Sequence, residues 1–181
     1  MKLSTRKITQ NAVIAALYFV LTLVSSPLSF GLIQFRISEF LMLLCFFRKD
    51  YVIGLTMGCF LANLSLSATF LGAGGWIDLL IGTAATLIAG LIMPYTKRLF
   101  IASLIPVLTN GILVGLELSL ILEIDQFWVC FGFVCLGEFV CISVVGYALM
   151  MIMKRKFPKA FNIIEANRNL EAKWWKIRIF G

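Results

Sequence analysis

Four acidic side chains stand inside otherwise apolar stretches of this chain: Glu39, Asp78, Glu117 and Glu138. Two amides, Asn63 and Asn110, and one guanidinium, Arg36, stand there with them. A charge at membrane depth is costly, so it is normally paired, turned inward or functional. An acidic set suits a ligand that carries N–H donors or a positive charge, because one carboxylate can take two parallel N–H bonds. The amides and Arg36 can serve carbonyl acceptors. Phe30, Phe35, Trp76 and Phe127 lie near the same level and offer faces for a flat ring, although aromatic belts place such residues at membrane interfaces in any case. Each polar residue also has an ordinary reading. Arg36 and Glu39, three positions apart, could pair locally; Asp78 could cap a helix; Glu117 could sit at the interface; Asn63 could join two helices.

The surrounding elements are membrane spans. Of 181 residues, 61% are hydrophobic and 14% charged, and mean hydropathy is +0.98. Soluble domains carry about 25% charged residues. The expected fold is all-α: a polytopic membrane protein with six transmembrane helices and both termini cytoplasmic. Helix boundaries are expected near Ile8–Ser26, Phe35–Phe47, Tyr51–Phe70, Trp76–Met93, Leu99–Leu122 and Phe127–Met153. The second is short for a span. Pro27 and Pro94 end helices, Gly31 turns the first loop, 71–75 breaks the chain after the third helix, and Pro106 kinks the fifth. The basic start (Lys2, Arg6, Lys7) resembles a signal peptide, but the apolar run is long and no A-x-A site follows, so a retained first helix is expected.

The net charge of +7 is a topology signal rather than a sign of nucleic-acid binding. Lys2, Arg6, Lys7, Arg48, Lys49, Lys97, Arg98, Lys154, Arg155, Lys156 and Lys159 all fall on one side if the N-terminus is inside. Arg36 is the exception on the outer side. With a rise of about 1.5 Å per residue, all seven polar residues fall at the middle or outer level of five helices. They are expected to line a water-accessible pocket open to the outside. Residues 158–181 form a cytoplasmic tail whose Trp174 and Trp175, beside Lys173 and Lys176, suit a membrane interface.

Several chemistries are excluded. The chain has no histidine, so Ser-His-Asp and Cys-His catalysis and HExxH zinc binding are absent. It carries no P-loop, so any ATP hydrolysis belongs to another subunit. Cys45, Cys59, Cys130, Cys135 and Cys141 lie in apolar runs without zinc-type spacing and read as small buried hydrophobes. No metal or cofactor is expected, and no enzyme. On the first helix Ala12, Ala15 and Ala16 provide small residues against which another helix, internal or of a partner, can pack closely.

These residues carry a resemblance to a known family. Asn11-Ala12-Val13-Ile14-Ala15-Ala16-Leu17-Tyr18, Ile33-Gln34-Phe35-Arg36-Ile37-Ser38-Glu39, Ala62-Asn63-Leu64 leading to Asp78, Leu79-Leu80-Ile81-Gly82-Thr83, Thr109-Asn110-Gly111 and Gly137-Glu138 resemble the QueT family, substrate-binding S components of energy-coupling factor (ECF) transporters. The run Gln34 to Glu39 is the most specific. The resemblance covers nearly all of 1–160, whereas 65–76 and the Trp-rich tail depart from it. It implies a six-helix S-component domain over 1–157 in the cell membrane. It implies a substrate site on the outer side, capped by the loop between helices 1 and 2, for a queuosine precursor, a 7-deazaguanine base. It further implies two ATPase subunits and a transmembrane coupling subunit on which Ala12 and Ala16 dock. An S component for another vitamin or nucleobase is the alternative, and a membrane enzyme a more distant one.

Overall fold

A computed structural model describes residues 5–29, 34–71, 75–159 and 161–162. The expected turn at Gly31, the ring face of Phe30, the break at 72–74, Lys2 and the Trp-rich tail lie outside the described residues.

The described residues are helical, without strands. The elements are α1 (Thr5–Val24), α2 (Ser26–Ser29), a 3₁₀ segment (Ile37–Met42) that continues as α3 (Leu43–Phe47), α4 (Tyr51–Leu71), α5 (Gly75–Ile92), α6 (Leu99–Leu116), α7 (Phe127–Glu138) and α8 (Tyr147–Lys156). Short 3₁₀ and π segments join the later helices: Met93–Tyr95 after α5, Glu117–Ile121 after α6, and Phe139–Gly146 between α7 and α8. α7, the π segment and α8 thus form one continuous 30-residue helical stretch, Phe127–Lys156.

Four stretches are long and apolar enough to cross a membrane: Thr5–Val24, Gly75–Tyr95, Leu99–Ile121 and Phe127–Lys156. α4 adds a helix of 21 residues. The second expected span behaves differently. Residues 37–47 rise only about 20 Å, less than the ~30 Å hydrocarbon core. The preceding residues 34–36 are not helical, and Arg36 is extended (φ −83°, ψ 91°). α1 stops at Val24, ahead of Pro27, which is the second residue of the one-turn α2, where proline's missing N–H costs nothing. Pro94 likewise sits inside the 3₁₀ turn after α5, and the α-helix runs unbroken across Pro106.

Neighbouring helices pack in the order α1, α4, α5, α6, α7. The short 37–47 segment fills the middle, with its 3₁₀ part against α1 and the 139–146 π segment and its α3 part against α4, α5 and α6. Met42, Leu43, Cys45, Phe46 and Phe47 are almost wholly buried, together with Tyr18, Leu55, Met93, Leu99 and Ile142. From Leu41 to Phe47 this segment is apolar throughout and buried on nearly every side. Glycines allow close approach around it. A Cβ at Gly54 would lie 2.6 Å from the Asn11 carbonyl oxygen, and one at Gly58 would lie 2.8 Å from the Ala15 carbonyl oxygen. Asn11 also accepts the Gly54 N–H at 2.8 Å, so α1 and α4 are stitched by small residues and a buried amide.

Candidate functional site

The seven polar residues converge. All are turned into the bundle and none is more than 4% exposed. Arg36, carried on the extended lead-in to the 3₁₀ segment, reaches across to α5 and meets Asp78 at 3.4 Å (Nη2 to Oδ2). Its Nε donates to the Ser29 carbonyl at 3.5 Å. Arg36 and Glu39 therefore do not form the local pair that their spacing allows. The 3₁₀ geometry turns Glu39 toward α1 instead, where its Oε1 accepts the Tyr18 hydroxyl. Asp78 lies within the first turn of α5, tied to Arg36 in addition to any capping role. Asn63 of α4 donates to the Asp78 carbonyl at 3.3 Å and so joins α4 to α5. Asn110 of α6 donates to Glu138 Oε1 at 3.0 Å and joins α6 to α7.

Electrostatic interactions connect these groups. Glu39 and Asp78 act on Arg36, Glu117 and Glu138 feel it, and Glu138 also feels Glu39. One guanidinium thus interacts with four carboxyl groups drawn from separate elements, in direct contact with Asp78. Hydrogen bonding leaves part of the set open among the described residues. Glu39 Oε2, Glu138 Oε2, both Glu117 oxygens, Asn63 Oδ1 and Gln34 Nε2 are buried without a hydrogen-bond partner. Native structures keep few such groups, each costing about 1–3 kcal/mol.

Two π segments border this cluster. One begins at Glu117 and the other directly follows Glu138. A π turn adds a residue to the helix and re-aims the side chains beside it, and such turns are frequent at functional sites. Gly82 of α5 supplies room: a Cβ there would stand 2.8 Å from Asn63 Nδ2, 3.6 Å from Asp78 Oδ1 and 3.7 Å from Arg36 Nη1.

The cluster is enclosed rather than open to the outside, since its members are 0–4% exposed. The packing of residues 37–42 between α1 and the 139–146 segment buries the Glu39 part of it. A small depression lined by Asn63, Leu64, Gly75, Trp76 and Leu79 lies at its edge. The aromatic faces contribute less than expected. Trp76 is 63% exposed and turned outward, Phe127 packs edge-on with Trp128, and Phe35 packs into the core.

Of the three alanines on α1, Ala12 and Ala16 are exposed, and Ala15 is half-buried with its backbone against Gly58 of α4. The internal and external readings of this stretch thus fall on different residues.

A model of the QueT transporter family matches residues 8–155. The chain belongs to the QueT transporter family. It is 31% identical over 170 residues to the protein named queuosine precursor transporter QueT of Lactococcus lactis subsp. cremoris (strain MG1363), covering 85% of this chain and 96% of that relative. No solved structure matches the chain. Membership places this QueT-family chain among transporters rather than enzymes, and with its apolar helices makes it a multi-pass membrane protein.

Sequence reasoning passed over several partners of the cluster in this QueT-family chain. Tyr18 holds Glu39; Thr22 meets Ser38 at 2.7 Å beside it. Thr86 and Asn63 both donate to Cys59 Sγ, at 3.3 and 3.7 Å. Gln34 is 2% exposed. Tyr18 and Gln34 both fall in the runs that carry the family resemblance, which is the signal by which they could have been found.

Proposed function

We propose that this chain is the substrate-binding S component of an ECF-type, ATP-driven importer, and that its cargo is a queuosine precursor, a 7-deazaguanine base. The observation that carries the reading is the enclosed cluster with its open acceptors. Glu39 and Glu138 are each held through one oxygen by a neutral donor, and the other oxygen stays available. Glu117 has both oxygens available. A guanine-like base presents ring and exocyclic N–H groups that satisfy such acceptors, and its burial would remove the cost of leaving them open. The name of the Lactococcus lactis relative, queuosine precursor transporter, supports this ligand class.

In this reading Arg36, Glu39, Asn63, Asp78, Asn110, Glu117 and Glu138 form the binding site. Arg36 and Asp78 brace the extended 34–36 stretch against α5, and the remaining groups meet the ligand. Binding requires residues 34–42 to yield, since the site is enclosed. No catalytic residue is needed; ATP hydrolysis falls to two partner ATPases, and a transmembrane coupling subunit docks on α1 through Ala12 and Ala16. Six spans with cytoplasmic termini put the site on the outer side, because the helices carry their basic ends to the opposite side.

The test is equilibrium binding of radiolabelled 7-deazaguanine bases to the full chain purified in detergent. Saturable binding of one of them is expected. Absence of saturable binding by any queuosine precursor rejects the substrate claim. Uptake into vesicles by the chain alone, without ATPase partners, rejects the S-component claim.

A further inference from the structure

Gln34 stands outside the set of binding residues above, yet it is the buried amide with an open donor. Its side chain is 2% exposed and its Nε2 has no hydrogen-bond partner among the described residues. Its backbone is wedged against Gly137. A Cβ at Gly137 would lie 2.4 Å from the Gln34 carbonyl oxygen and 2.8 Å from its carbonyl carbon. The next residue is Glu138, whose Oε1 is occupied by Asn110 and whose Oε2 is open. A close backbone contact therefore holds residue 34, which bears an open N–H donor, against residue 137, the chain neighbour of the residue that bears an open acceptor.

We infer that Gln34 is a specificity-determining residue: with Glu138 it reads a carbonyl beside a ring N–H, and so selects oxo bases over amino bases. This rests on the proposed 7-deazaguanine-type cargo. The lactam edge of an oxo base offers C=O to the Gln34 amide and N–H to the Glu138 carboxyl. An amino base inverts both positions. Its exocyclic N–H would meet the Gln34 N–H, and its ring lone pair would meet the carboxyl oxygen. Both mismatches are repulsive, and mismatched buried polar groups discriminate more strongly than lost apolar contact. Glycine at 137 is required, because any side chain there would collide with the Gln34 backbone rather than with a movable side-chain end.

The experiment compares dissociation constants of 7-deazaguanine and 7-deaza-2,6-diaminopurine on the full chain in detergent, for wild type and Gln34→Met. Wild type is expected to prefer the oxo base by about a hundredfold. Gln34→Met, similar in volume but without a donor, is expected to lose about tenfold in oxo-base affinity and to narrow the preference. An unchanged affinity and an unchanged preference in Gln34→Met overturn the inference. So does wild type that binds both bases equally, which would leave the transport reading standing. Wild type that binds neither, nor any queuosine precursor, rejects the cargo itself. Should Gln34→Met fail to fold, wild type with the 6-thio analogue of 7-deazaguanine decides. The weaker acceptor is expected to cost about tenfold, and equal affinity contradicts a donor at this position.

Discussion

Glu138 shows what each residue of the cluster contributes. Asn110 fixes one of its oxygens at 3.0 Å, which orients the carboxyl group and leaves the other oxygen open. Glu138→Gln keeps an oxygen for Asn110 but puts an N–H where an acceptor stood. Ligand binding is expected to weaken about tenfold or more, with the melting temperature of the unliganded protein nearly unchanged. Parallel titration and thermal-unfolding measurements check this; equal losses in both would make Glu138 a packing residue. The four acidic residues, Arg36 and the two asparagines were legible in the sequence because ionised and amide groups are rare at membrane depth. Tyr18, Thr22, Ser38, Thr86 and Gln34 were not, because neutral polar side chains are ordinary in membrane helices and only a tertiary partner gives them a role. The pairing was also hidden: Arg36 chooses Asp78, 42 positions away, over Glu39.

At the scale of elements, the apolar runs gave the helices to within a few residues, since length and hydropathy decide them. The 37–47 segment was marked only by its shortness. Its 3₁₀ geometry depends on burial between α1 and the 139–146 segment, which no local signal reports. The π turns at Glu117 and after Glu138 are equally invisible, because the same composition suits an α-helix. The end of the bundle opposite the cluster has its own tie. Lys7 of α1 meets Asp50 at 2.7 Å, and Arg48 meets the same oxygen at 3.3 Å while donating to Gln10 at 3.2 Å. The Lys7 ammonium bonded to Asp50, aided by Arg48, holds the carboxyl below its usual range. A carboxyl group with a depressed folded-state pKa contributes stability above its unfolded pKa of about 3.9, and that contribution is lost as pH falls through the folded-state value. Asp50→Asn is therefore expected to lower the melting temperature at pH 7, with the difference from wild type shrinking as pH falls below about 4. A constant difference across that range would mean that charge is not what Asp50 supplies.

For the whole molecule, α1 is the most peripheral span. Only 22% of its apolar stretch is buried, against 44–50% for the other three long apolar stretches. Val13, Leu17 and Val20 lie outward with Ala12 and Ala16 among them. This face is exposed to lipid or, in the proposed importer, to a coupling subunit, and small residues favour close helix contact. Ala12→Trp is expected to leave folding and base binding intact while abolishing ATP-dependent uptake in cells that supply the partner subunits. Normal uptake by that variant would reject α1 as the docking face.

The most direct measurement is a high-resolution structure of the chain bound to a 7-deazaguanine base. The base is expected to lie enclosed among residues 34–39, α5, α6 and α7, with its N–H groups on the open oxygens of Glu39, Glu117 or Glu138. A base bound elsewhere on the bundle, with those oxygens still unpartnered, would contradict it.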